Sequence, residues 1–337
     1  MDELKDIIMK MKGLKIAVIG DAVLDRDINC KRERLNPDKK RVPLLRVSMT
    51  DKKNSKNIPG QGANVASNIA PFSDCDFYGI VGEDFEGREI ERTLKEKRIN
   101  PKIIFSQEIK TIVKNRFYDD EGEYSFRLDE EEGKPIEISN NLQERLLEIL
   151  RMEIKNYNAI VLSDYNKGFF VSNSNGESLS KKIISLANQF NVPVIADLKP
   201  GNFENFKNCT IICPNRKEAG GMLGLGIPEI KDLLRIGKEI QEKMNPKYVI
   251  ITCDREGVFI YDNGNSKMLE TYAREVSDHT GAGDSLTAGV SLGFACGMNI
   301  YNSARFGNMI AGLVVEKMGT ATTNPKEVLE RYGNSSI

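Results

Sequence analysis

The stretch KIAVIGDAVLD, residues 15–25, decides the fold class. After Lys15 comes an unbroken Ile-Ala-Val-Ile run, the pattern of a strand buried on both faces in a parallel sheet. Four more short runs rich in Ile and Val repeat it: AIVLSD (159–164), VPVIAD (192–197), TIICPN (210–215) and YVIITCD (248–254). Helical periodicity lies between several of them, as in residues 140–157, where Leu142, Leu146, Leu147 and Leu150 recur on one helix face. This alternation predicts an α/β fold, a mainly parallel sheet covered by helices on both faces. Asp21, Asp164, Asp197, Asn215 and Asp254 fall at or just past the ends of these runs, where open α/β sheets place their ligands. One such residue is ordinary turn chemistry; five together predict a crevice. The first run leads into Gly20-Asp21-Ala22-Val23-Leu24-Asp25 instead of G-x-G-x-x-G, which disfavours a dinucleotide fold, and the absence of G-x-x-x-x-G-K-[ST] excludes a P-loop enzyme.

Composition narrows the function classes. With 48 basic and 49 acidic residues, the chain has no charge excess suited to nucleic acid or an acidic membrane, so the expected partner is small. Six scattered cysteines with no C-x-x-C pair fit a reduced compartment and read as small buried hydrophobes. The N-terminus has acids within its first three residues and fails as a secretory signal, and no run approaches the ~18 apolar residues of a membrane helix. A cytoplasmic protein is expected. The single histidine, His279, rules out multi-histidine zinc sites and leaves room for a Ser-His-Asp triad only around itself.

Two stretches depart from the α/β pattern. Residues 28–58 are dense in Lys and Arg with short alternating segments such as RVPLLRVS, and TIVKNRFYDDEGEYSFRL (111–128) reads as a hairpin turning at Asp120 to Gly122. They are expected to be strands of a small β lid, in segments of about 28–58 and 103–128 of one domain spanning 1–337; solvated surface hairpins are the other reading. Past residue 270 the pattern is helical over 282–297 and 303–319, each segment ending near a glycine.

The densest chemistry lies in DHTGAGDSLTAG, residues 278–289. Thr280-Gly281-Ala282-Gly283-Asp284 opens an apolar helix, so its backbone N–H groups are expected to form an anion hole that the glycines let a phosphate approach. An acid there has a task in phosphoryl transfer, where it takes the proton of an attacking hydroxyl while amides and Mg²⁺ stabilise the transferring charge. The alternative for Asp284 is a helix-start acid, favourable by about 0.3–1 kcal/mol with the dipole.

With these motifs the chain resembles the ribokinase family of carbohydrate kinases, of the phosphofructokinase-B type, over about residues 15–330. DHTGAGDSLTAG is similar to the family's D-T-T-G-A-G-D signature, which implies Asp284 as catalytic base and Gly281, Ala282 and Gly283 as the anion hole. PGQGANVASNIA (59–70) is similar to its N-terminal glycine motif, which implies that Gly60 and Asn64 contact the sugar; Gln61 stands where the family has a glycine. PNRKE (214–218) resembles the N-x-x-E element, implying Asn215 and Glu218 for phosphates and an indirectly held Mg²⁺, with Lys217 neutralising phosphate charge. TCDREG (252–257) falls at the nucleotide-binding T-x-G-x-x-G, with Asp254 in place of the first glycine, which implies Thr252 and Gly257 for the nucleotide, joined by Asn308. Asp25 matches the acid that accepts sugar hydroxyls. The family usually has Thr at position 279, so His279 is expected to pack or hydrogen-bond locally and not to act as base.

Within the family, RERLNPD (32–38), Lys114 and Arg116, RLDEEE (127–132), SDYNKG (163–168) and DLKPGNFENF (197–206) resemble the heptose 7-phosphate kinase branch. That resemblance implies ATP and Mg²⁺ as cofactors, a sugar phosphate as acceptor, and Arg116, Arg127 and Lys167 among its ligands. Cations for a phosphate and carboxylates for hydroxyls suit such an acceptor on chemical grounds. It also implies a homodimer through the lid and a monovalent cation near Asp278 to Thr280. Many relatives carry an adenylyltransferase domain whose motif needs two histidines, and that second activity is not expected here. Another acceptor, such as ribose, fructose, a hexose phosphate or a nucleoside, and a non-catalytic sugar or nucleotide sensor are the alternatives.

Overall fold

The computed structural model describes residues 2–35, 43–47, 55–119, 121–122, 124–172 and 176–333. Its centre is a nine-stranded sheet. Seven strands run parallel, in spatial order β7 (Asn100–Ser106), β6 (Asp74–Gly82), β1 (Lys15–Gly20), β10 (Ala159–Ser163), β11 (Val194–Asp197), β12 (Ile211–Ile212) and β13 (Tyr248–Thr252). Antiparallel β14 (Val258–Asp262) and β15 (Asn265–Leu269) finish one edge. Each of the five apolar runs is one of these strands. TIICPN yields the shortest, because Pro214 has no N–H for the ladder; pairing resumes only as an isolated bridge between Asn215 and Thr252.

Alternate residues of each strand enter opposite cores, as period-two geometry requires. Ala17 and Ile19 of β1 pack with Leu142, Leu146, Leu147 and Leu150 of α4 (Asn140–Glu153) and with α5 (Leu179–Gln189), α6 (Arg216–Met222) and α7 (Leu233–Met244). Ile16 and Val18 face the other way, towards α1 (Asp2–Met11), α2 (Gly62–Ile69), α3 (Phe85–Glu96), α8 (Ala282–Ala295), α9 (Ile300–Val315) and α10 (Pro325–Tyr332). Each fully buried leucine of α4 is worth about 1.5–3 kcal/mol of burial. No helix among the described residues is long and apolar enough to cross a membrane.

A second sheet of four strands leaves the end of β1. After Asp21 the chain enters β2 (Ala22–Asn29), which pairs antiparallel with β5 (Ser55–Gln61) and parallel with β8 (Ile112–Tyr118); β9 (Tyr124–Glu130) is the outer edge. β3 (Lys31–Leu35) and β4 (Pro43–Arg46) form a separate two-stranded ladder. The lid therefore starts at Ala22, six residues before the sequence expectation, because AVLDRDIN carries no breaker after the first strand. Residues 103–106, expected in a lid segment, belong to β7 of the main sheet. The β8–β9 hairpin forms as expected; of its turn, Asp120 lies outside the described residues and Gly122 has φ of 80°.

The junction between the sheets depends on Gly20. A Cβ there would lie 2.2 Å from the carbonyl oxygen of Ser163 on β10. The expected cost of Gly20→Ala is therefore about 2–3 kcal/mol of overpacking, read as a lowered urea midpoint; an unchanged midpoint would contradict the close approach of the strands.

Candidate active site

The carboxylate edge of the sheet and the start of α8 meet here. Gly281 caps α8 in a left-handed conformation with φ of 81°, and Asp284 is the third residue of the first turn. Ala282 N–H donates to the His279 carbonyl at 3.3 Å, while the amides of Gly281 and Gly283 have no backbone partner among the described residues. Such first-turn donors are what a phosphate oxygen needs. The Asp284 side chain is buried, with a donor on each oxygen: Asn64 Nδ2 to Oδ2 at 2.6 Å and Tyr165 Oη to Oδ1 at 2.5 Å. Burial holds its carboxyl above the ordinary range. The two hydrogen bonds and Lys199 oppose that rise, and the Asp25 charge adds to it.

Beside it stands a second carboxylate group. Glu218 Oε2 accepts from its own helix cap, Asn215 N–H, at 2.9 Å, and Asn215 Oδ1 accepts from Glu218 N–H at 2.8 Å, a reciprocal capping box at the start of α6. The other Glu218 oxygen pairs with Lys199 Nζ, which also sits 5.0 Å from the centre of the Tyr165 ring. Asp197 is buried nearby; burial pushes its carboxyl up, and the charges of Asp284 and Glu218 add to the rise while Lys199 opposes it. A cleft of about 1000 Å³ joins these groups to Thr252, Gly257 and Asn308 and to the α8 amides. Asn308 Nδ2 donates to the Glu270 carbonyl at 2.8 Å, tying α9 to the chain beyond β15. Asp254 takes up the left-handed backbone (φ 51°) that a glycine adopts without strain, and its carboxylate meets Arg216 at 3.4 Å.

On the lid side, acidic and basic side chains interleave across β2, β8 and β9. Register sets Asp25 beside Lys114, Asp27 beside Arg116, Arg116 beside Arg127 and Lys114 beside Asp129. Arg116 reaches Asp25 at 3.2 Å and Asp27 at 3.7 Å; Arg127 pairs with Asp129 at 2.7 Å, and Lys167 with Glu131 at 2.5 Å. Lys114 is held below its ordinary range by burial, with Lys167 and Arg127 adding to the fall and Asp25 and Asp129 opposing it. Gly60 leaves room for Asp25, since a Cβ there would lie 2.6 Å from the carboxylate and displace it. Gln61 is strained at φ 54° and ψ −125°, and both polar atoms of its buried amide lack a hydrogen-bond partner among the described residues, as does Asp25 Oδ1. Buried polar groups left open in this way are what a hydroxyl-rich ligand satisfies.

Asp284, Gly281, Ala282, Gly283, Asn215, Glu218, Thr252, Gly257 and Asn308 thus line one cleft, and Asn64 is joined to it through Asp284. Lys217 does not join them. Glu218 turns inward to close the capping box, so Lys217, one residue earlier on the helix, faces solvent; Lys199 is the lysine that lines the cleft and pairs with Glu218. His279 is exposed on the cleft wall, and its carbonyl accepts the Ala282 N–H bond at the start of α8. Asp278 accepts from Thr280 N–H at 2.8 Å and Gly319 N–H at 3.0 Å, which fixes the approach to α8. Among the described residues no group of three acidic, histidine or cysteine side chains makes an all-protein metal cage.

The family model for pfkB carbohydrate kinases matches residues 14–327. The chain belongs to the pfkB family of carbohydrate kinases. ATP-dependent phosphorylation of a sugar or sugar phosphate is that family's reaction, typically with Mg²⁺. Among curated relatives, the bifunctional protein HldE of Helicobacter pylori (strain HPAG1) is 32% identical over 316 residues, covering 93% of this chain. The bifunctional protein HldE of Nitratiruptor sp. is 31% identical over 323 residues, covering 95%. The chain spans 65% of the length of each. Phosphofructokinase-2 from Escherichia coli in complex with potassium superposes with a TM-score of 0.75 at 16% identity, covering 95% of this chain and 98% of that one. Arabidopsis thaliana ribokinase complexed with ribose and ATP gives 0.68 at 18% identity, with coverages of 95% and 98%. The fold of this carbohydrate kinase is thus ribokinase-like.

Asp21 holds the loop that carries Tyr165 and Lys167: its Oδ2 accepts from Tyr165 N–H at 2.7 Å and Lys167 N–H at 3.3 Å. Burial, with Asp164 adding, raises its carboxyl from 3.8 to about 7 against those hydrogen bonds. Between these values the native state keeps a proton that the unfolded chain has released, so the stability this group contributes falls as pH rises and is gone above about 7. Asp21→Asn, which keeps an acceptor and removes the charge, is expected to flatten the decline in urea midpoint between pH 5 and 8; parallel curves for the two proteins would contradict the assignment.

Proposed function

We propose that this kinase transfers the γ-phosphoryl group of ATP to the anomeric hydroxyl of a heptose 7-phosphate of the D-glycero-D-manno type. The observation that carries this reading is the set of three lid cations, Lys114, Arg116 and Arg127, around Asp25, with Lys167 of the loop after β10 near Lys114; Asp25 lies close enough to Asp284 for its charge to act there. A neutral sugar needs carboxylates and amides for its hydroxyls; a sugar phosphate also needs cations away from the reacting hydroxyl. The matches of RLDEEE, SDYNKG and DLKPGNFENF to the heptose-phosphate kinase branch support the same acceptor.

In this reading Asp25, Gly60 and Asn64 hold the sugar, and the lid cations with Lys167 hold its phosphate. Asp284 accepts the hydroxyl proton as the new O–P bond forms, and ADP leaves with the electron pair of the broken P–O bond. The Gly281, Ala282 and Gly283 segment at the start of α8 stabilises the charge spread over the phosphoryl oxygens. Thr252, Gly257 and Asn308 lie along the nucleotide. Asn215 and Glu218 would hold Mg²⁺ indirectly: a buried carboxylate at a phosphate site, outside any closed cage, fits an ion that arrives with nucleotide phosphates and keeps water ligands. When bound, that ion neutralises phosphate charge, a task that Lys199 shares.

The test is a panel of heptose, heptose 7-phosphate, ribose, fructose, hexose phosphates and nucleosides with ATP and Mg²⁺, followed by ADP release. Turnover is expected for the heptose 7-phosphate and to fall about 10²–10⁴-fold in Asp284→Asn. Preferred turnover of an unphosphorylated sugar would overturn the phosphate reading, and an active Asp284→Asn would overturn the base.

We also propose that two copies pair through their lids. Tyr124, Phe126 and Leu128 alternate along the edge strand β9 and are all exposed, while Ser125 and Arg127 take the positions between them. Phe126→Glu is expected to turn a dimer into a monomer in light scattering; an unchanged mass would overturn this pairing.

A further inference from the structure

We propose that Tyr165 is a positioning residue for the Asp284 carboxylate: its hydroxyl, clamped on Oδ1 opposite Asn64 on Oδ2, keeps that carboxylate aimed and charged for the acceptor hydroxyl. The inference rests on the reading of Asp284 as proton acceptor and adds to it a group on a different strand end, 119 residues away.

The geometry is specific. Tyr165 stands in the loop after β10, and its backbone is fixed by Asp21 through the Tyr165 N–H bond of 2.7 Å. Its neighbour Asp164 ties the same loop, accepting from Asn166 N–H at 2.7 Å and Asn202 Nδ2 at 3.2 Å. The ring is gripped from its face by the Lys199 ammonium, 5.0 Å from the centroid, while Lys199 is itself held by Glu218. The phenol oxygen therefore has little freedom, and it lies 2.5 Å from Asp284 Oδ1.

The surroundings explain why such a donor is needed. Asp284 shares its site with Asp25 and Asp197, and Tyr165 also feels the charge of Glu218; the cation common to this group is Lys199. Desolvation and these like charges disfavour the charged carboxylate, while hydrogen bonds to it favour it. Asn64 Nδ2 and Tyr165 Oη supply one donor per oxygen. Burial and the neighbouring Asp284 hold the phenol well above its ordinary range, so it stays protonated and acts only as a donor. Each carboxylate oxygen has a second lone pair, so the acceptor hydroxyl can still bond to Asp284 while Tyr165 and Asn64 fix the plane of the group.

The experiment uses the full chain with ATP, Mg²⁺ and whichever acceptor the wild-type protein turns over. Tyr165→Phe removes one oxygen and keeps the ring that Lys199 contacts. It is expected to lower kcat about 10- to 100-fold, to leave KM for ATP and acceptor within about twofold, and to move the acid limb of the kcat profile to higher pH. A loss of activity with an unmoved acid limb, or a change confined to KM, would overturn the proposal. If the Phe protein does not fold, 3-fluorotyrosine placed at position 165 alone, a stronger donor, is expected to move the limb to lower pH; no movement would equally overturn it. Asp284→Asn separates the two readings. If that variant keeps full turnover, the base assignment fails; if it is inactive while the position-165 variants leave the limb in place, only the role of Tyr165 fails.

Discussion

The structure depends on keeping a carboxylate charged where water is scarce. Asp284 is buried at the start of α8, and its two oxygens are held by Asn64 from α2 and by Tyr165 from the loop after β10. Those partners lie 220 and 119 residues away in sequence, so only the closed fold brings them together. The parallel sheet supplies the common edge, Asp21 and Asp164 fix the Tyr165 loop, and the Gly281 turn points Asp284 into the group. Removing either donor leaves one oxygen of a buried carboxylate unsatisfied, which costs more than the hydrogen bond contributes when made.

The charge distribution divides the site into two halves. In the cleft beside Asp284, Asp197 and Glu218 gather around Lys199, an acidic arrangement whose charge a divalent ion would offset. At the lid the balance differs: Lys114, Arg116, Arg127 and Lys167 interleave with Asp25, Asp27, Asp129 and Glu131, and Asp25 Oδ1 is buried with no hydrogen-bond partner among the described residues. A ligand with both an anionic end and hydroxyls suits that mixture better than one with hydroxyls alone. The orphaned amide of Gln61, held in a backbone conformation that a glycine would adopt without strain, belongs to the same unsatisfied set.

Much of this was legible in the sequence, for identifiable reasons. Strands buried on both faces leave apolar runs, so β1, β10, β11, β12 and β13 could be read directly, and so could the polar residues that end them. Asp284 was legible because its glycines and its helix are contiguous with it. The start of the lid at Ala22 was not, since β2 follows β1 with only Asp21 between them. Lys199 and Lys217 are equally basic in sequence; the capping box of Asn215 with Glu218 decides which one reaches the cleft, and that is a matter of helix phase. A lysine two residues past the strand-end Asp197 was the available signal for Lys199. Tyr165 had a weaker one, its place directly after Asp164, and its contact with Asp284 exists only in the folded chain.

The central claim is that these groups deliver a phosphoryl group to the anomeric oxygen of a sugar that already carries a phosphate. Phosphorus NMR of the product formed from heptose 7-phosphate, ATP and Mg²⁺ tests it most directly. The account predicts a sugar bisphosphate whose new phosphorus is coupled to the anomeric proton. A new phosphorus coupled to any other position, or release of inorganic phosphate with the sugar unchanged, would contradict it.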